Sequence, residues 1–306
     1  MSGLLALGAF ALGVVIVVWS TEMLVDGMVG LAALLRAAPF VIAGVFSGLE
    51  AENVAVGVVA ARDGHTEIAL GTVFGGASFV MCVALGLAAV LFPLRVRLPR
   101  GILLVVAATP VFAGIALIGG HTSRAAGAAL LAAFAAAMTY VVLAMRNQLD
   151  RNVDEPPARW WRPVGLTVAG LIVITAGAEL IGYGADGIVR QFAFPATVMG
   201  MIVTPAAIEA EEVIRQAVPS KRGHHDVAAG NLIGTLLYFV LFNLGLIAVV
   251  APVVVPRQVI TLDWPFLIAV TWLATAFLWR GQVSRWQGAI LLAAYAAYVT
   301  AHVLAA

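Results

Sequence analysis

Glutamate is scarce in hydrocarbon, yet this chain places five glutamates in two of its apolar runs. Glu50 and Glu52, with Asn53 beside them, fall in the run around 38–61; Glu209, Glu211 and Glu212 fall in the run around 197–219. An ionised carboxylate at the centre of a bilayer costs about 2.5–3.5 kcal/mol on insertion scales. Arg215 is the one basic residue embedded in either run. The remaining ways to carry such groups are a partner cation, a bound proton or a water-filled cavity, with protonated carboxyls acting as hydrogen-bonded glue as the competing explanation. Carboxylate and amide oxygens are hard ligands. They suit Ca²⁺, which takes 6–8 oxygens at about 2.3–2.6 Å, they accept Mn²⁺, and they suit soft metals poorly.

Spacing refines this set. Residues three apart share a helix face, so Glu50 pairs with Asn53 and Glu209 with Glu212, while Glu52 and Glu211 point about 100° away from Asn53 and Glu212. An unwound segment relaxes that constraint. Gly44 and Gly48 in the first run, and Gly200 and Thr204-Pro205 in the second, are the expected break points, and Pro205 also frees a backbone carbonyl for a cation. Thr72, Ser78, Asn231 and Thr235 supply further oxygens on the following helices as second-tier ligands. Gly71 and Gly75, with Gly230 and Gly234, have the i, i+4 spacing that lets helices approach closely. Glu67 and Asp226 read as helix-start residues favoured by the helix dipole, and His224-His225-Asp226 as a solvated loop.

The elements that position these residues are membrane spans. The 306 residues are 62% hydrophobic and 11% charged, with a net charge of +1; soluble domains carry roughly 25% charged residues. Apolar stretches of about 20 residues, one per crossing, fall near 3–20, 38–61, 67–92, 101–119, 125–145, 163–189, 197–219, 226–251, 262–279 and 286–304. The fold class is therefore an all-α membrane protein of about ten transmembrane helices. The N-terminus lacks the basic region of a signal peptide, so its apolar run reads as a retained helix. No basic run suggests nucleic acid. The lone Cys82 excludes a disulfide framework.

The longer polar stretch Arg146 to Arg162, ending in Trp160-Trp161, sits near the middle of the chain. It divides the chain into a first five-helix repeat (1–145), a linker (146–162) and a second five-helix repeat (163–306). Most lysines and arginines fall in loops on one side, including Arg95, Arg97, Arg100, Lys221 and Arg222; Arg62, Arg124, Arg190 and Arg257 fall on the other. By the positive-inside rule the linker is cytoplasmic and both termini lie outside a plasma or inner membrane. Five is odd, so the second half enters the bilayer inverted relative to the first, as in many secondary transporters.

The halves also match locally. Gly48-Leu49-Glu50-Ala51-Glu52-Asn53-Val54 pairs with Ala207-Ile208-Glu209-Ala210-Glu211-Glu212-Val213. Glu67, followed by Ile68 to Gly75, then pairs without a gap with Asp226, followed by Val227 to Gly234. A weaker match joins Ser20-Thr21-Glu22 to Gly177-Ala178-Glu179.

This pattern resembles the cation/calcium exchanger superfamily, which includes sodium/calcium and proton/calcium antiporters. The resemblance covers nearly the whole chain in topology and is concentrated in 44–79 and 200–239. Val59 to Gly64 with Glu67 to Gly75 is similar to the family's first repeat, and Asp226 to Gly234 to its second. The resemblance implies two inverted five-helix halves with ligating acids in the second helix of each. Counted from Glu67 and Asp226, the family's glutamate falls on Asn53 and Glu212; by the Ala-Glu-His motif of proton-coupled members it falls on Glu52. Both alignments stand. The sodium-ligating Thr-Ser pair is Leu49-Glu50 and Ile208-Glu209 here. The following Gly-Ser-Asn is Gly75-Gly76-Ala77 and Gly234-Thr235-Leu236.

The expected function is a secondary antiporter, not an enzyme. It would exchange Ca²⁺, or a similar divalent cation such as Mn²⁺, for protons or sodium, with no cofactor. Glu50, Glu52, Asn53, Glu209, Glu211 and Glu212 would form the cation site, with Glu52 and Glu212 as the direct metal ligands. The resemblance further implies that helices 1 and 6 slide across the remaining bundle. The rivals are a transport-inactive membrane protein of the same fold and an intramembrane metalloenzyme. The latter is disfavoured because neither acidic motif carries a histidine.

Overall fold

Backbone polar groups in lipid have no water to bond, so each apolar run must close its own hydrogen bonds as a helix. The computed structural model describes residues 3–46, 51–146, 159–189 and 209–305. Its helices are α1 (Gly3–Leu35), α2 (Pro39–Phe46), α3 (Ala51–Arg62), α4 (Thr66–Leu91), α5 (Arg100–Leu117), α6 (Arg124–Arg146), α7 (Trp161–Val189), α8 (Ala210–Lys221), α9 (His225–Val250), α10 (Val259–Trp279) and α11 (Arg285–Ala305). Eight of these are long and apolar enough to cross a bilayer among the described residues. The shorter α2 and α3 occupy the expected second span, and α8 the end of the expected seventh.

The first span is longer than its sequence suggests. It was expected over 3–20, but α1 continues to Leu35 and stops where Arg36 takes a positive φ of 49° ahead of Pro39. Its 33 residues rise about 50 Å at 1.5 Å each, well beyond a hydrocarbon core of about 30 Å, so the helix tilts or projects past it. Glu22 and Asp26 sit on its exposed side. Charges that look like the start of a loop are the polar face of a continuing helix.

α1 packs along α7 through small residues. Gly184 meets Phe10, Gly13 meets Gly177 and Ile181, and Gly27 meets Thr167. One set of numbers rises as the other falls, so the first helices of the two halves run antiparallel, as an inverted repeat requires. The same relation recurs elsewhere. α4 carries a π-helical turn at Val80–Ala84 and α9 one at Tyr238–Asn243. Gly86 of α4 packs on Gly288 of α11, and Gly245 of α9 on Gly127 of α6. A short antiparallel pair joins Leu94–Arg95 to Gln282–Val283, and a single bridge joins His121 to Val254. These contacts between the halves therefore come in pairs with the roles exchanged.

α4 and α9 are buried over most of their length and form the centre of the bundle. Both contribute to the main apolar core, for example through Leu70, Phe74, Leu232 and Leu236. α9 sits directly on α2: a Cβ at Gly230 would collide with the Phe40 carbonyl oxygen, and one at Gly234 with that of Gly44. These glycines were expected to be packing positions, and they are. Overpacking a close contact costs about 1–3 kcal/mol. Gly234→Val is therefore expected to lower the unfolding midpoint in detergent by several degrees, whereas Gly165→Ala, with nothing within 4 Å of the added carbon, leaves it within about one degree.

Candidate cation site

The second acidic motif begins a helix. α8 starts at Ala210, with Glu209 as its N-terminal boundary residue and Glu211 and Glu212 in its first turn. The Glu212 backbone N–H donates to the Glu209 carbonyl at 3.0 Å. The free N–H groups and dipole of a helix N-terminus favour negative charge, so this is where a chain can place acids inside a membrane at lowest cost. All three are deeply buried: Glu209 is 1% exposed, Glu211 9% and Glu212 0%.

Two polar contacts define the centre. Asn53, buried in the first turn of α3, donates from Nδ2 to Glu209 Oε1 at 2.8 Å, joining the two acidic motifs across 156 residues of sequence. Gly76 on α4 makes room for this carboxylate, since a Cβ there would stand 3.3 Å from Glu209 Oε1. Gly76 and Glu209 both occupy positions where the family resemblance drawn from the sequence implies serines. A smaller residue on α4 thus accommodates a larger one at the start of α8.

Glu212 lies in a second set of contacts. Arg215 Nη1 is 2.6 Å from Glu212 Oε1 and 3.5 Å from Glu211 Oε1. Asn231 Nδ2 on α9 donates to Glu212 Oε2 at 2.8 Å. Gln216 extends this network when its amide is oriented to satisfy both ends. Its oxygen accepts from Asn231 Nδ2 at 2.8 Å and its nitrogen donates to the Ala228 carbonyl at 2.9 Å. The i, i+3 and i, i+4 spacing of Glu212 and Glu211 to Arg215 is the usual geometry of a helical ion pair, here withdrawn from water.

Several sequence candidates fall elsewhere. Glu50 lies outside the described residues, as do Gly48, Gly200, Thr204 and Pro205. Glu52 is in the first turn of α3, and its side chain also lies outside them. Thr72 is buried but donates back to the Ala69 carbonyl of its own helix at 2.9 Å. The hydroxyls of Ser78 and Thr235 are buried, with no hydrogen bond among the described residues. Glu22, Glu179 and Glu67 are exposed. Glu67 and Asp226 occupy the first turns of α4 and α9, as expected of helix-start residues. Gln216 was not anticipated. A lone glutamine one residue after an arginine gives no signal until the packing of α8 on α9 is known. Among the described residues, no three histidine, cysteine, aspartate or glutamate side chains converge to hold a metal ion.

With the geometry established, comparison with known proteins places the chain. The sequence model described as "Sodium/calcium exchanger protein" matches residues 5–143 and again 162–304. The protein named "Putative antiporter CaxA" from Alkalimonas amylolytica is 25% identical over 306 aligned positions, covering 94% of this chain and 95% of that one. The sodium/calcium exchanger MaX1 of Methanosarcina acetivorans is 23% identical over 133 positions, 43% of this chain and 38% of its own. Among solved structures, the sodium-calcium exchanger NCX_Mj superposes with a TM-score of 0.80 at 22% identity, covering 97% of this chain and 98% of that one. This likeness shows a shared all-α fold with inverted repeats. Matched over almost its full length, the chain belongs to the sodium/calcium exchanger protein family, as a multi-pass membrane transporter of the cation-antiporter class rather than an enzyme.

Proposed function

We propose that this antiporter exchanges a divalent cation, Ca²⁺ in the first instance, for protons, at a site between the two acidic motifs. The observation that carries the reading is a charge count. Glu50, Glu52, Glu209, Glu211 and Glu212 are five acids, and the segments 39–61 and 191–214 contain no lysine or arginine. Within the acidic motifs Arg215 is the one basic residue, and it engages Glu212 and Glu211. The negative excess calls for positive charge that comes and goes, as either one divalent cation or protons. Asn53 and the oxygens of Asn231 and Thr235 would complete the ligand set, with Glu52 and Glu212 nearest the ion.

Proton coupling is favoured over sodium coupling because Glu50 and Glu209 stand where sodium-coupled members carry a neutral hydroxyl. A carboxylate can release a cation by taking up a proton, whereas a hydroxyl cannot. The division into repeats at 1–145 and 163–306, with a cytoplasmic linker at 146–162 and both termini outside, belongs to the same reading and rests on the loop charges.

A specific observation favours one rival, a transport-inactive protein of the same fold. Both carboxylate oxygens of Glu212 are engaged by Arg215 and Asn231, as in a static structural pair. Flux measurements separate the two readings. Purified protein in proteoliposomes is expected to move Ca²⁺, and Mn²⁺ more weakly, when a proton gradient is imposed. It should stay at the background of protein-free vesicles when only a sodium gradient is imposed. Flux driven by sodium alone would overturn the coupling ion, and background under both gradients would favour the inactive protein.

A further inference from the structure

A second buried ionisable group lies away from the acidic motifs. Asp263 ends the π-helical turn that opens α10 and is 0% exposed; His302, near the end of α11, is 2% exposed, and Tyr298 one turn earlier is also 2% exposed. Tyr298 donates its hydroxyl to Asp263 Oδ1 at 2.6 Å, and His302 Nε2 lies 3.0 Å from the same oxygen. Phe266 stacks on Tyr298 with ring centroids 4.3 Å apart, and the Tyr298 and His302 rings meet edge to face at 4.4 Å. Asp263 Oδ2 is buried and accepts no hydrogen bond among the described residues. Among the described residues, the other titratable groups facing this cluster are Tyr295 on α11 and Cys82 on α4, both neutral when protonated, and Tyr295 is also within electrostatic reach of Glu209. Among the described residues, no lysine or arginine pairs with Asp263.

The histidine contacts count the protons. His302 Nδ1 lies 3.1 Å from the Tyr298 carbonyl oxygen. A carbonyl can only accept, so Nδ1 carries hydrogen. A neutral ring with hydrogen on Nδ1 presents a bare lone pair at Nε2. That bare nitrogen would lie 3.0 Å from an ionised carboxylate oxygen, with no attraction between them. The contact is favourable only if one further proton sits on the pair, either on Nε2 as imidazolium or on Asp263 as the acid. In both forms the pair has zero net charge. Without that proton it is a buried anion, which an apolar site penalises heavily.

We propose that Asp263 and His302, braced by Tyr298, form a proton-binding site separate from the cation cluster, whose occupancy holds α10 to α11. The ligand is a proton, taken up near the membrane face at which α11 ends. Rising pH empties the site and leaves a buried carboxylate without a counter-charge, weakening the α10–α11 contact.

The test is thermal unfolding of the purified full-length protein in detergent, with EDTA present, from about pH 5 to about pH 9, a range that brackets an ordinary histidine. Asp263→Asn keeps the shape and removes the charge. Its unfolding midpoint is expected to lie below wild type at low pH and to gain on wild type as pH rises, the gap closing by about 2–4 °C or more. Other titrating groups act on both proteins and cancel in the difference. If Asp263→Asn does not fold, the double variant Asp263→Leu with His302→Leu replaces the pair by apolar side chains, a change that buried pairs often tolerate, and the same closing gap is expected. Parallel curves would overturn the proposal. So would a gap that closes only when EDTA is omitted, since a metal ion would then be the ligand. No outcome depends on transport, so failure here is distinct from failure of the exchange reading.

Discussion

Glu212→Gln is expected to bring Ca²⁺ flux in proteoliposomes down to the level of protein-free vesicles while the protein still folds. The amide has the shape of the carboxylate and retains an oxygen for the Asn231 donor at 2.8 Å, so the packing of α8 on α9 survives. The charge balance does not. Arg215, held 2.6 Å from the Glu212 carboxylate, would lose its main counter-charge and become a net positive group beside the site. Two unit charges 4 Å apart interact by about 4 kcal/mol at an effective dielectric of 20, and each 1.4 kcal/mol is about tenfold in affinity. Removing one negative charge and exposing one positive charge therefore lowers affinity for a divalent cation by well over about 100-fold. A wild-type rate in this variant would show that Glu212 does not hold the ion, and a lowered unfolding midpoint alongside it would return Glu212 to a structural role.

The same glutamate shows how far the sequence could be read. Most of the spans and their inversion were legible because hydropathy and spacing are local properties. Asn53 and Glu209 stand out in the sequence as polar residues in apolar runs. Their direct hydrogen bond depends on the packing of α3 against the start of α8, which spacing cannot supply. The extension of α1 to Leu35 was missed because Glu22 and Asp26 look like the end of a span. In the folded chain Asp26 reaches Arg222 at 2.6 Å across the surface, and the helix has no reason to stop.

The polar residues outside the duplicated motifs were the least legible. Asp263 and Tyr298 are 35 positions apart and become one cluster only when α10 and α11 fold together. Asn243, buried in the π-helical turn of α9, gave no periodic signal at all. Duplication made the acidic motifs conspicuous; unduplicated polar residues in apolar helices had no such second copy to draw attention to them.

Arg215 is visible in the sequence as the one basic residue of the two acidic runs, and the second large effect is expected there. Arg215→Met keeps much of the aliphatic stem and removes the guanidinium, leaving Glu212 and Glu211 without the charge at 2.6 and 3.5 Å. Breaking a buried ion pair from one side costs about 3–5 kcal/mol, so the unfolding midpoint in cation-free buffer should fall by several degrees or more. If the carboxylates form the cation site, the same substitution gives Ca²⁺ more negative charge to bind. Ligand at about 100 times its dissociation constant stabilises a protein by about 2.7 kcal/mol, so added Ca²⁺ should raise the midpoint of the variant more than that of wild type. Arg215 would then act as a tethered competitor of the transported ion, occupying the carboxylates in its absence and yielding them in its presence. Equal Ca²⁺ shifts in both proteins would mean that removing the arginine opens nothing to the ion, and that the pair at the start of α8 only holds the helix in place.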